Sequence, residues 1–287
     1  LPAVQSNQMV QIISEFALPI LSFDNQLVFN MMCGLIIAVL AGTVIIGGLT
    51  RIAKASSWLV PIMGGLYVLT ATFILIANFE DVPNVIKIIF SDAFTGTSVA
   101  GGTLMGVIMY GIQRGAFSNE AGIGTEALIH GTAKTNNPIK QGFVAMIGPI
   151  FDTLLICTAT AVVIILSGLW TGDKYSGVSL TAMAFETFLG SAGIAVVFLC
   201  VVFFGISTIF TYSYYGSVCA RFLFGPKGQK IYLYIFIATI IFFASISLDS
   251  AINIIDGSFA MMAIPTLISS IILAPKVIAE ANKFLAR

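Results

Sequence analysis

The stretch Leu27-Val-Phe-Asn-Met-Met-Cys-Gly-Leu-Ile-Ile-Ala-Val-Leu-Ala-Gly-Thr-Val-Ile-Ile-Gly-Gly-Leu49 carries no charged side chain. As a helix rising about 1.5 Å per residue it is long enough to cross a hydrocarbon core of about 30 Å. Working outward, Trp58–Phe79, Phe143–Leu166, Ala192–Val218, Tyr232–Leu248 and Ser258–Ala274 repeat the pattern, and Gly96–Gln113 is a weaker, glycine-rich version. Residues 1–21 read as the tail of a helix or a re-entrant piece, because Glu15 and Pro19 interrupt them. Val82–Phe94 and Gly177–Gly190 are too short and mixed to cross, and read as interfacial helices. The expectation is an all-α, polytopic membrane protein with seven complete spans and one partial span.

Composition agrees. Of 287 residues, 58% are hydrophobic and 9% charged, mean hydropathy is +1.01, and 13 basic residues balance 13 acidic ones. Soluble domains are about 25% charged. These values exclude a soluble globular enzyme, a disordered chain and a nucleic-acid binder, which needs a basic stripe. Cys33, Cys157, Cys200 and Cys219 lie in or beside apolar runs, where cysteine acts as a small hydrophobe rather than as part of a disulfide scaffold. The chain opens on Leu1-Pro-Ala-Val-Gln-Ser-Asn7 without an initiator Met or a basic start, and reads as beginning inside a larger protein.

Alternating the spans puts eleven of thirteen basic residues on one side, and the positive-inside rule makes that side cytoplasmic. Arg114 falls on this side. Acidic residues, Asp256 among them, gather opposite.

Polar groups inside a span need a reason. Asp152 sits about halfway along its span; it is either a hydrogen-bonded acid that locks two helices or an ion ligand or proton relay. Gly111–Gly124 packs Gln113, Arg114, Ser118, Asn119 and Glu120 among four glycines. Broken transporter helices have this character, and so does an ordinary polar turn. Ser207, Thr208 and Thr211 place hydroxyls at helical spacing, suited either to a small hard cation or to bonding back to their own helix. His130 reads as a solvated loop residue, and Trp58 and Trp170 as interfacial anchors. A membrane aspartyl protease using Asp152 and Asp256 is disfavoured, since Asp256 falls at the outer end of the last span.

The run Arg114-Gly-Ala-Phe-Ser-Asn-Glu-Ala-Gly-Ile-Gly124 closely resembles the signature of the alanine or glycine:cation symporter family. Gln5-Ser-Asn7, Gly47–Lys54, Val60-Pro61, Lys134–Gly142, Phe151-Asp-Thr153, Thr158-Ala-Thr160, Ser207-Thr208, Tyr214-Tyr-Gly216 and Met262–Pro265 match it in order. The resemblance implies a LeuT-like inverted-repeat transporter fold that moves alanine or glycine inward with Na⁺ or H⁺. It implies one transmembrane transporter domain over 1–287, N-terminally truncated, with 1–79 ending the first repeat and 96–274 forming the second.

It further implies that Gln5, Phe117, Ser118, Asn119 and Tyr212 face the substrate or its gate. Ser207 and Thr208 would give oxygens to a sodium site shared with absent N-terminal helices of the same chain. The bilayer would be a bacterial or archaeal cytoplasmic membrane, and no covalent chemistry is required. Two departures stand out: the family often has Trp where this chain has Tyr212, and Asn just after Pro265, where this chain has Thr266.

Overall fold

The computed structural model describes residues 1–21, 25–94, 104–172 and 174–286. All regular elements among them are helical. In chain order they are α1 (Pro2–Leu21), α2 (Gln26–Ile45), α3 (Leu49–Ala77), α4 (Val82–Phe94), α5 (Leu104–Asn119), α6 (Thr125–His130) and α7 (Pro138–Pro149). A π-helical segment (Ile150–Cys157) joins α7 to α8 (Thr158–Ser167), and a single 3₁₀ turn follows. The last three are α9 (Val178–Leu189), α10 (Ser191–Ser245) and α11 (Leu248–Leu285).

Among the described residues, five helical segments are long and apolar enough to cross a membrane: α2, α3, the continuous Pro138–Ser167 stretch, α10 and α11. At 55 residues α10 is about 80 Å long if straight, more than twice the hydrocarbon thickness. It is broken at Gly225, whose φ of 71° and ψ of −169° are not helical, with Pro226 next. The bend falls between the two spans read from sequence, Ala192–Val218 and Tyr232–Leu248, and the second helical part stops at Ser245 rather than at Leu248. The expected seventh span, Gly96–Gln113, is covered only from Leu104 onward; its first part lies outside the described residues. The last span differs most. Sequence reading begins it at Ser258 and stops it at Pro275-Lys276, whereas α11 starts ten residues earlier and carries both Pro265 and Pro275 inside it. Proline removes one hydrogen bond and kinks a helix without having to end it.

The chain divides into two compact units. Unit 1 comprises 1–77 and 163–255 and holds the main core. Phe29, Cys33, Ile37, Ala41 and Ile45 recur every four residues along α2 and bury one stripe against Ile209, Phe210, Phe236, Ile240 and Ala244 of α10. Gly34 allows this approach: a Cβ there would lie 2.7 Å from the Ala244 Cβ. Small residues at close helix crossings drive packing in membranes, where burial alone gives little.

Helix α1 packs on α10 through Met9 and Val10. Its polar stripe caps neighbours. Asn7 Nδ2 donates to the Ile246 carbonyl (2.6 Å) at the end of α10, and Gln8 Oε1 accepts from Val178 N (2.8 Å) at the start of α9. Gln11 Nε2 donates to Ser179 Oγ (3.0 Å), which in turn donates to Glu15. Sequence reading makes 177–190 an interfacial piece. Instead α9 is built into the bundle: Phe185 is fully buried, its ring 5.4 Å from that of Tyr67, and Gly193 of α10 lies against the Phe185 carbonyl.

Unit 2 comprises 78–162 and 256–287. Asn137 caps α7 by accepting from Ile139 N and Lys140 N, with Pro138 at the first helical position, where a missing N–H costs nothing. Gly148-Pro149 then opens the helix into the π-segment, and Thr158 Oγ1 donates to the Thr153 carbonyl five residues back (3.1 Å).

Candidate functional site

Two groups of residues carry the functional expectation, one in each unit.

In unit 2 the backbone breaks after α5. Glu120 has φ of 57°, Gly122 of 84° and Gly124 of 95°, three left-handed residues within five. Asn119 Oδ1 accepts from Ala121 N (3.0 Å), and Thr125, buried at the start of α6, donates through its hydroxyl to Glu120 Oε2. Thr266 of α11 donates to the Ile123 carbonyl inside the break (3.1 Å) and to its own Met262 carbonyl (2.9 Å). Gly124 must lack a side chain: a Cβ would meet Thr266 Oγ1 at 2.7 Å.

The π-segment holds the end of α5. Ser118 Oγ donates to Asp152 Oδ2 at 2.6 Å and lies 3.2 Å from Cys157 Sγ. Asn119 Nδ2 donates to Thr153 Oγ1 at 3.0 Å. π-segments inside α-helices recur at functional sites. Two of the sequence-derived residues, Ser118 and Asp152, thus meet directly, while a third, Asn119, meets Thr153 beside Asp152. The hydrogen-bonded reading of Asp152 acquires its partner, Ser118.

Phe117 turns the other way. Its ring is 5.5 Å from that of Phe259 on α11, and both line a cavity of about 370 Å³ with Ile112, Gln113, Ile123 and Asp256. Arg114 holds one of the cavity's lining residues, Asp256. Its Nη2 pairs with Asp256 Oδ2 at 2.7 Å, and its guanidinium lies 5.0 Å from the centre of the Tyr110 ring and 5.6 Å from that of Phe117. This corrects the sidedness of two charges. Sequence reading sets Arg114 and Asp256 on opposite membrane faces. In the structure Asp256 lies more than two turns inside α11, and the two are ion-paired. Charge counting assigns every charge to a loop and cannot see pairs formed between helices. Thr266, Thr153 and Arg114 are the residues that sequence reasoning left without a function. The signal for Thr266 was its departure from the family pattern.

In unit 1, α1 and α10 meet at Gly205, where an added Cβ would clash with Met9 and lie 3.7 Å from the Gln5 carbonyl oxygen. Gln5 is half-buried, and its side-chain amide has no hydrogen bond among the described residues, unlike those of Gln8 and Gln11. Ser207, two residues from Gly205, is buried and donates to the Phe204 carbonyl at 2.9 Å, which leaves its oxygen lone pairs. Thr208 is half-buried beside it. Tyr212 follows one turn on and packs against the core, with its ring 5.2 Å from Tyr215. At about 100° per residue Thr208 and Tyr212 fall on the same side of α10 as Gly205, whereas Ser207 lies about 200° round from it.

Apolar helices of spanning length define a multi-pass membrane protein, and a broken helix braced by hydroxyls is a feature found in transporters. The match is specific: the model of the sodium:alanine symporter family covers residues 1–287, and the chain belongs to that family. It is 37% identical over 257 residues to an uncharacterized transporter of Bacillus subtilis, YflA, covering 88% of this chain and 55% of that one. It is 36% identical over 257 residues to the sodium/alanine symporter AgcS of Methanococcus maripaludis, covering 88% and 56%. It is 31% identical over 238 residues to the sodium/proton-dependent alanine carrier protein of Bacillus sp. (strain PS3), covering 78% and 51%. The chain thus spans about half the length of the curated relatives it matches. The family is one of transporters, and the protein is not an enzyme.

Proposed function

We propose that the full-length protein carries a small neutral amino acid, alanine or glycine, into the cell together with Na⁺ by alternating access on a LeuT-like inverted-repeat fold. The observation that carries this reading is the broken helix after Asn119, braced by Ser118, Asn119 and Thr266 and lying within the family's signature run. A continuous helix keeps its carbonyls to itself; a broken one frees them and its dipole ends for ions and zwitterions.

In this reading Na⁺ is cargo. Ser207 and Thr208 supply neutral hard oxygens, and Thr208 lies about one turn along α10 from Gly205, where the Gln5 carbonyl approaches. Gln5, with its uncommitted amide, and Tyr212 face the amino acid. Phe117 bounds the cavity beside the break, and Ser118 and Asn119 set the end of α5 through Asp152 and Thr153. Cation binding orders these oxygens first, the amino acid follows, and helix N-termini hold its carboxylate. One methylene in an apolar pocket discriminates by only about 1–3 kcal/mol, so larger side chains are excluded by clash. A relative named as sodium/proton-dependent favours H⁺ as the alternative coupling ion.

The test is uptake of labelled alanine into proteoliposomes holding the full-length protein. Uptake that requires an inward sodium gradient and is competed by glycine is the expected result. Uptake driven by a proton gradient alone would replace the coupling ion. No uptake under either gradient, from folded protein, would sink the substrate assignment. Thr208→Ala is expected to raise the sodium concentration for half-maximal uptake about tenfold, the loss of one oxygen ligand worth about 1.4 kcal/mol. Unchanged sodium dependence would remove Thr208 from the ion site.

A further inference from the structure

Unit 1 holds a second cavity, lined by none of the residues assigned to transport. It measures about 660 Å³ and lies where the α2–α3 turn meets the bend of α10. Arg221 and Lys230 line it from either side of the Gly225-Pro226 bend, together with Gln229. Gly48 and Leu49 line it from the start of α3, a 29-residue helix whose N-terminus is the positive end of its dipole. No acidic residue among the described ones lines the cavity. The ion pairs among the described residues are Arg114–Asp256 and Lys283–Glu280, so neither Arg221 nor Lys230 is neutralised by one. Two cations and a helix N-terminus facing one cavity with no counter-charge make an anion site.

The surroundings decide which anion. Ile46 and Tyr234, both in the lining, are 65% exposed, and the residues after Arg221, Phe222-Leu223-Phe224, are 88%, 68% and 72% exposed. A site for a free aqueous anion has no use for that much uncovered apolar surface at its mouth; a phosphate carrying acyl chains does. Arg51, Lys54 and Lys227 belong to the same two turns, the basic pattern of a cytoplasmic face, where anionic lipids concentrate.

We propose that this cavity binds the phosphate-bearing headgroup of an anionic phospholipid of the cytoplasmic leaflet. Arg221 and Lys230 hold the phosphate, and the acyl chains lie along Ile46, Phe222–Phe224 and Tyr234. Bound there, the lipid ties the α2–α3 turn to the bend of α10.

The test uses purified full-length protein in neutral detergent, titrated with phosphatidylglycerol and separately with phosphatidylcholine, with retention read by native mass spectrometry. Phosphatidylglycerol is expected to be retained preferentially, and the double substitution Arg221→Gln with Lys230→Gln to weaken it about tenfold or more. Equal retention of the two lipids, or of phosphatidylglycerol by the variant, would overturn the proposal. Displacement by inorganic phosphate at matching concentration would overturn it in favour of a free anion. A photoreactive phosphatidylglycerol needs no substitution: in the unaltered protein it is expected to label within residues 213–237. Labelling only elsewhere would mean that protein fills the cavity. Transport plays no part in these readouts, so they stand or fall apart from the assigned substrate.

Discussion

At the scale of the residue, Asp152 is the most informative group, because two readings of it differ in what a neutral amide would do. Its close donor is the Ser118 hydroxyl at 2.6 Å. If the acid serves to tie the π-segment to the end of α5, Asp152→Asn keeps an acceptor oxygen at that place. Asp152→Leu and Ser118→Ala lose the bond. We expect Ser118→Ala to cost about 1 kcal/mol, Asp152→Leu about 1–3 kcal/mol, and Asp152→Asn less than either, read by thermal unfolding in detergent. Sodium dependence of uptake should stay unchanged in Asp152→Asn; a large increase in the sodium needed would make Asp152 an ion ligand instead. Glu126, on the short α6 outside the spans, makes a second case. Burial pushes its carboxyl above the usual value of 4.5, His130 pulls it back, and Glu120 adds to the rise. A carboxyl whose folded value is raised binds its proton more tightly when folded. Its ionisation therefore removes stability as pH rises from about 4.5 upward. Glu126→Gln should raise the melting temperature at neutral pH, with the gain vanishing as pH falls below 4.5. A gain that persists in acid would contradict this.

At the scale of the element, the break between α5 and α6 depends on one glycine in a specific contact. Gly124 combines φ of 95° with a would-be Cβ 2.7 Å from Thr266 Oγ1. Gly124→Ala should cost about 2 kcal/mol or more, of which about 1–2 comes from the left-handed backbone. In a Thr266→Ala background, which already lacks the Thr266–Ile123 hydrogen bond, Gly124→Ala should cost only the backbone part. If it costs nothing there, the backbone strain is absent. The sequence made most of the elements readable, because an apolar run of spanning length has few alternatives, and the basic residues Arg221, Lys227 and Lys230 set apart the runs on either side of the bend that the structure places at Gly225-Pro226. It did not reveal how far α11 extends, because proline inside a spanning helix loses one bond and the helix goes on. Nor did it reveal that Ser118 meets Asp152. The two lie 34 positions apart, and the π-segment that turns Asp152 toward α5 has no pattern of its own in an apolar run. The signature run was legible as a family resemblance, but its bracing by Thr153 and Thr266 needed the fold.

At the scale of the whole molecule, the two units differ in how their apolar residues are used. Unit 1 buries stripes of α2 and α10 against each other, and its core takes in Met9 and Val10 of α1 and Ile52 of α3. In unit 2 the apolar side chains of the Pro138–Ser167 stretch and of α11 are mostly exposed; Leu154, Met261, Ile271 and Ile272 are examples. Apolar side chains on a spanning helix lose little by facing hydrocarbon, so such a unit is held by a few polar contacts and close approaches rather than by a core. Those contacts include Ser118–Asp152, Asn119–Thr153, Arg114–Asp256 and Thr266–Ile123. Opening free energies follow the density of packed contacts, and elements that move during function come from the weaker end. Hydrogen exchange on the full-length protein in lipid nanodiscs should therefore find the longest protection in α2 and in residues 191–224 of α10. The fastest exchange near the functional residues should fall at 119–124, where three left-handed residues interrupt the helix. If Ser207 and Thr208 hold the coupling ion, adding sodium should slow exchange around 204–212, and adding alanine with sodium should slow it at 119–124. A sodium effect confined to unit 2 would move the ion site away from α10 and toward the break.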